Sequence, residues 1–342
     1  MNKNLIDTIA PQLTELMVRK IEALTDDWHK PWVADITHGL PRNLRGTPYR
    51  ADNILLLAML TELEKFRTPI FMTLRQAKDE NLSIRKGAKA FPVYFWMLYI
   101  RHKQTRQKIE PQEYYRLSWE LRNQYDVLPV MRYYSVFNID QTDMAETHPE
   151  RYAALTAAPM QDVDSDGVAC VPLDRMLELQ TWHCPIMLCY GDKASYSPSL
   201  DRIVCPEKRQ FSEGAAFYTT LLHEIAHSTG HPERLNRLRD GRDSAEYARE
   251  ELVAELTAAL CGAMLGLATT PRAENAAYLK GWLEILREQP NFLFEILGDV
   301  NKAARMIDER LEQAQVDTDQ TKHRATHPKD DRHTCYPTGH LL

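Results

Sequence analysis

The stretch TTLLHEIAHSTGH, Thr219–His231, limits what the chain can fold into more than any other. Its apolar residues recur at helical spacing, so it predicts a helix. His223 and His227 stand four residues apart. On a helix their imidazoles leave one face about a turn apart, where they can grip a single metal ion. Glu224 then lies beside the ion without ligating it. From there it can take a proton from an activated water and pass it to a leaving amine. Gly230 supplies a helix stop, and Pro232 bars simple continuation. At this composition the pattern HExxH arises by chance only about 0.03 times per chain, so it is read as a site.

A catalytic ion of this kind needs a third protein ligand and an open position. His231 is close, but the helix stop precedes it, and it misses the longer spacing HExxHxxGxxH. Downstream, YAREELVAELTAAL places Glu251 and Glu255 at i and i+4 on one helical face. HExxH followed by a helix bearing E-x-x-x-E resembles the gluzincin arrangement. There the first carboxylate, here Glu251, binds the ion. The second, here Glu255, holds a ligand histidine by its free N–H. Glu250 competes as ligand, but it points about 100° away from Glu251, so the two cannot both face the ion. Zinc is the ordinary occupant of a His2Glu set, with other divalent metals as alternatives. Ahead of the motif, SYSPSLDRIVCP reads as an edge strand; it is either an ordinary sheet edge or, as the resemblance to zincins implies, a place where an extended peptide adds by backbone pairing. Tyr247, His231 and Tyr196 are candidates for stabilising an oxyanion, and the spacing does not choose among them.

The two halves differ in charge. Residues 1–140 carry 21 Lys+Arg against 16 Asp+Glu, and residues 141–342 carry 21 against 32. A polyanion would meet the first half. Nine cations fall between Arg75 and Lys108, among them Arg85, Lys86 and Lys89, against two acids. Phe91, Tyr94, Phe95, Trp96 and Tyr99 are interleaved with them. Cations neutralise phosphates and flat rings stack on unpaired bases, the combination a single strand requires. Strand alternation turns part of this set inward, Phe95 and one of Tyr94 or Trp96 among it. Gly87 in RKGAK allows close backbone approach to a phosphate. Arg42, Tyr49, Arg50 and Asn53 form a second polar cluster before a helix. No helix-turn-helix or zinc-finger pattern is present, which favours sequence-independent binding.

The chain has 342 residues and is 44% hydrophobic, enough for about two domains, each able to bury a core. Helices are expected over Leu5–Leu24, Ala51–Lys65, Leu173–Gln180, from Ser244 to about Gly262, Asn275–Glu288 and Asn291–Gln313. Strands are expected around Val93–Tyr99 and Val130–Asp140. The class is therefore α+β with small sheets. The expected division is a first domain over 1–141, a linker over 142–168, a mainly helical domain over 169–315 and a disordered tail over 316–342. Four histidines in the tail carry no site. Six scattered cysteines without a CxxC pair argue against a structural cysteine–zinc site and a disulfide framework. The longest apolar run, Ile54–Leu60, is too short to cross a membrane, and the first residues lack a signal-peptide core. The expectation is a soluble protein of a reducing cytosol without membrane contact.

At this point the motifs resemble a known family. TLLHEIAHSTGHPERLNR, YAREELVAEL and NAAYLKGWLEIL look like the zincin-like half of ArdC-type antirestriction proteins. WHKPW, LPRNLRGTPYRADNILLL, TLRQA, IRKGAKA and VFNIDQ look like their N-terminal single-stranded-DNA-binding domain. The resemblance spans about residues 5–312. The chain departs from it at Ala51-Asp52, where the family has Gly after Tyr-Arg, and at Phe71, where it has Trp. The resemblance implies a protein of mobile elements that protects incoming DNA from restriction, with single-stranded DNA and a protein substrate or restriction component as partners. The competing expectations are a DNA-binding protein whose metal is structural, and a general protease whose first half recruits substrate.

Overall fold

The computed structural model describes residues 3–26, 39–157, 169–211, 213–238, 244–267 and 279–326. The WHKPW stretch, from Trp28 to Trp32, lies outside them. Helix α1 (Lys3–Asp26) buries Ile9, Leu13, Leu16, Met17, Ile21 and Leu24 along one stripe, and Pro11 is accommodated within it. Strand β1 (Arg42–Asn43) turns at Gly46, whose φ of +85° favours glycine, into α2 (Ala51–Leu63). Strand β2 (Ile70–Thr73) passes into α3 (Leu74–Asp79), where Thr73 and Gln76 form a reciprocal capping box. The strands β3 (Phe91–His102) and β5 (Tyr125–Asn138) form a long antiparallel arm. Between them come β4 (Lys108–Ile109), α4 (Pro111–Arg116) and α5 (Trp119–Arg122). The sheet order is β1-β2-β5-β3-β4.

The expected linker is shorter than its polar sequence suggested. Two helices, α6 (Met144–Thr147) and α7 (Pro149–Thr156), continue the first domain. Met144 is fully buried in a small cluster with Ile70, Met72, Ala77, Leu82 and Ile139. Tyr152 donates to Asp140 Oδ1 at 2.5 Å. Only one face of these helices meets the core, so the sequence looks like a solvated connection. Residues 158–168 lie outside the described residues.

The second domain begins with α8 (Val171–Leu179) and a sheet of β6 (Ile186–Cys189), β7 (Ser195–Ser197) and β8 (Arg202–Pro206), ordered β6-β8-β7. The single edge strand expected over SYSPSLDRIVCP is thus two antiparallel strands. Pro198 has no N–H to offer a ladder, and the chain reverses between it and Asp201, whose φ is +43°. β7 is one edge and β6 the other; β8 is central, with Ile203 and Cys205 fully buried. Among the described residues four helices follow: α9 (Gly214–Thr229), α10 (Ser244–Met264), α11 (Leu279–Glu288) and α12 (Phe292–Thr326). α12 runs into the segment expected to be disordered. No Gly or Pro interrupts the chain between Gly298 and Pro328, so nothing local stops the helix. Residues 327–342 lie outside the described residues. Among the described residues no helix is long and apolar enough to cross a membrane.

The two domains share one core. α2 is apolar on nearly all faces, and Leu55, Leu56, Leu57 and Met59 are at most 1% exposed. It packs against α1 on the first-domain side and against α10 and α12 on the other. α1 also packs along α11, where Thr14 Oγ1 donates to Pro290 O at 3.0 Å. Tyr94 of β3 meets Phe294 of α12 edge-on at 5.2 Å between ring centroids. The longest apolar run in the sequence is therefore the joint between domains.

Candidate functional site

α9 is seated by apolar residues on three sides, with Phe217, Leu221, Leu222 and Ile225 at most 1% exposed. Trp182 Nε1 donates to Ser228 Oγ at 2.9 Å and pins its last turn. α9 packs on β7 and β8 and on the length of α10, so α10 faces the histidine side of the motif. His223 and Glu224 are 1% and 3% exposed.

Three donors converge there. The Nε2 atoms of His223 and His227 are 3.0 Å apart. Glu251 places Oε2 3.5 Å from His223 Nε2 and Oε1 3.5 Å from His227 Nε2. Among the described residues, His223, His227 and Glu251 are the one group of three such side chains whose ligand atoms all lie within 4.8 Å of one another. A tetrahedral ion with bonds of about 2.0–2.1 Å has ligand–ligand edges of about 3.3 Å, so the spacing fits an ion of that size. The donor set, two imidazoles and one carboxylate, also fits a borderline divalent metal.

Behind the donors stand carboxylates. Glu255 Oε1 lies 3.6 Å from His223 Nδ1, and Glu250 Oε1 lies 3.3 Å from His227 Nδ1. Arg237 grips Glu250 with both Nε and Nη2, at 3.1 and 3.0 Å, and donates to Ala226 O and Thr229 Oγ1. A Cβ at position 230 would meet Leu238 Cγ at 2.9 Å and Arg237 Nη2 at 3.2 Å, so Gly230 is what lets this returning loop close on α9. In the sequence Glu250 stands only as a rival ligand, and nothing there marks Arg237. The available signal was that Glu250, one step round from Glu251, can face the outer nitrogen of His227.

The electrostatics follow from burial and these contacts. Burial disfavours an imidazolium at His227, yet the hydrogen bonds and charges of Glu250 and Glu251 outweigh it and push its pKa up to about 10. Burial would raise the Glu251 carboxyl, but His223 and His227 hold it well below the usual carboxylate range. Two histidines among three carboxylates make a pocket that favours positive charge.

The other candidates are dispersed. His231 lies beyond the end of α9 and accepts from Glu233 N at 3.2 Å. Tyr196 donates to Asp201 Oδ1 at 2.7 Å and accepts from Arg234. Tyr247 is 43% exposed, one turn before Glu251 on α10.

On the first domain, Arg85, Lys86 and Lys89 are exposed around Gly87, whose φ is +87°. Arg85 pairs with Glu146 at 2.5 Å. Arg42 lies in β1, and Arg50 is exposed at the N-cap of α2. Tyr49 donates to Phe71 O at 3.3 Å. Tyr94 is the inward ring at 2% exposure and Trp96 the outward one at 40%. Asn53 is 3% exposed. Its side chain donates to Tyr94 O at 2.6 Å and accepts from Tyr94 N at 3.2 Å, capping the open edge of β3. Both of its amide atoms are engaged with the backbone of β3, at the lining of a cleft at the foot of the arm. The cations of 101–108 are set apart at the far end of the arm, where Arg101 and Arg106 face Asp126.

Known proteins resemble both halves. Residues 7–137 match the N-terminal domain of the anti-restriction factor ArdC, and residues 179–297 match the zincin-like metallopeptidase family. The chain is 30% identical over 312 residues to the uncharacterized protein y4eC of Sinorhizobium fredii, covering 90% of this chain and 94% of that one. It is 28% identical over 326 residues to the DNA primase TraC of Escherichia coli, covering 93% of this chain. The chain spans 28% of that relative's length. Crystal structures of the antirestriction ArdC protein from the R388 plasmid, metal-free and Mn(II)-bound, share 28% identity with it. They align with TM-scores of 0.63 and 0.62 over 89% of this chain and 98% of theirs. The chain belongs to the ArdC family of antirestriction proteins, with an ArdC-type first domain and a zincin-like second domain.

Proposed function

We propose that this protein binds single-stranded DNA through its first domain and cleaves a protein partner with a zinc-dependent second domain, so protecting incoming DNA from restriction. The observation that carries the proposal is the convergence of His223 Nε2, His227 Nε2 and the Glu251 carboxylate beside a buried Glu224. A site with only a structural role has no need of a carboxylate directly after the first histidine.

His223, His227 and Glu251 would hold the ion, and Glu250 and Glu255 would fix the ring orientations through Nδ1. A bound zinc ion supplies Lewis acidity toward a carbonyl and lowers the pKa of water. Glu224 accepts a proton at its carboxylate and returns it to the departing amine. The edge strand β7 packs on α9 and offers its free backbone to an extended peptide. Lys86, Lys89, Arg50 and Trp96 supply the cations and ring that a strand of DNA needs. The Mn(II)-bound relative supports a divalent ion at this centre and leaves the metal's identity as part of the proposal.

Glu224→Gln tests the proposal. The variant is expected to bind metal and single-stranded DNA normally while failing to protect incoming DNA. Full protection by a zinc-loaded Glu224→Gln protein would show that the second domain acts without hydrolysis.

A further inference from the structure

Two clefts, of about 540 and 750 Å3, meet at Tyr49, Arg50 and Phe95 at the foot of the β3–β5 arm. The smaller is built within the first domain. Phe95 and Tyr134 flank it with ring centroids 6.1 Å apart, and Asn43, Thr73 and Gln76 add polar atoms. The larger lies between the domains. Arg50 and Trp96 wall it on one side; Met264 of α10 and Asn301 and Arg305 of α12 wall it on the other. Arg50 and Arg305 are both exposed, and neither guanidinium makes a hydrogen bond or ion pair with a described residue. Flat rings beside unpartnered cations in two adjoining clefts are the chemistry of a sequence-tolerant single-strand site.

We propose that a bound single strand crosses from the first domain onto the second, stacking on Phe95 and Trp96 and meeting Arg305 of α12 with a phosphate. This rests on the single-stranded-DNA reading above and deepens it. The zincin-like half then supplies part of the DNA site. The cleft also holds two acids, Asp52 and Asp308. Asp52, 7% exposed, accepts hydrogen bonds from Tyr94 and Asn301 and serves as a tie between the domains. Burial raises its carboxyl above the ordinary value. Burial and the neighbouring Glu312 and Glu309 raise that of Asp308 as well. The path also brings DNA near the metal centre. Met264 and Glu251 share α10, and about 20 Å of helix axis separates them.

The test uses the full chain loaded with zinc and a labelled oligo-dT, titrated by fluorescence anisotropy across a range of salt. Arg305→Glu is expected to weaken binding about tenfold at low salt. Arg305→Gln should weaken it about threefold and lower the slope of log affinity against log salt by about 0.7. Arg310→Gln serves as the control. Arg310 lies about 140° around α12 from Arg305 and faces His183, so wild-type binding is expected. Unchanged affinity and slope in both Arg305 variants, with zinc content intact, would overturn the inference and leave the single-strand reading standing. An unaltered protein that binds no oligo-dT would sink that reading, and this one with it.

Discussion

At the metal centre His223, Glu224, Glu250, Glu251 and Glu255 are at most 6% exposed. On the nucleic-acid face Arg50, Lys86, Lys89 and Trp96 all reach water. The two regions obey different rules. Buried charged and titratable groups are costly unless paired, so the side chains crowded on these two helices depend closely on one another. Exposed cations act through a summed field that tolerates displacement of any one of them. Loss of a residue should therefore be nearly complete in the first region and graded in the second.

The largest expected effect is on chemistry. Glu224→Gln should lower peptide hydrolysis roughly 100- to 10,000-fold with metal content unchanged, measured by single-turnover cleavage of a protein substrate. Next come the residues behind the ligands. Glu250→Ala and Glu255→Ala should each weaken metal binding about 10- to 100-fold in a competition titration against a chelating dye. A metal affinity that ignores both changes would erase the contrast, because the centre would then tolerate loss as the surface does.

On the other side of the comparison, Trp96→Ala should cost about 1–3 kcal/mol of single-strand binding, read by anisotropy. Asn53→Ala should do the reverse of what a DNA contact would. It should lower thermal stability by about 1–3 kcal/mol and leave the affinity of the folded protein for oligo-dT nearly unchanged. Lys86→Ala and Lys89→Ala should each weaken binding only a few-fold and reduce the salt slope by about 0.7.

The smallest expected effect is in acid. The Arg234 guanidinium holds the Asp201 carboxyl below its ordinary value. A carboxyl depressed in the folded state stabilises it above the unfolded pKa of about 3.9 and loses that contribution as pH falls through the folded value. The stability difference between the unaltered protein and Arg234→Ala, about 1 kcal/mol or less from this pair, should therefore be steady near pH 7 and shrink below about pH 4. Urea unfolding at several pH values measures it. A difference that grows in acid would contradict the assignment.

What was legible in the sequence follows the same division. His223, Glu224 and His227 could be read because their relation is fixed by helix geometry within five residues, and Glu251 with Glu255 by the same rule on the next helix. Arg237 could not, because its link to Glu250 depends on how the loop after Gly230 folds back. Asn53 looked like a surface group from its polar neighbours, and only the open edge of β3 gives it a buried use. The helix holding Ile54–Leu60 could be read, but not its role: it is apolar all round because two domains enclose it, which no local pattern announces. The stretch from Met144 to Thr156 reads as a linker because only a single face of its helices is covered. The shared core also means that the halves are not independent modules, so each test above uses the whole chain.

The central claim is that His223, His227 and Glu251 form one metal site with Glu250 behind it. Anomalous scattering from crystals of the zinc-loaded protein tests it most directly. The account predicts one strong peak per chain, in contact with both Nε2 atoms and the Glu251 carboxylate. An ion held through Glu250 or His231, or no ion at the two histidines, would contradict it.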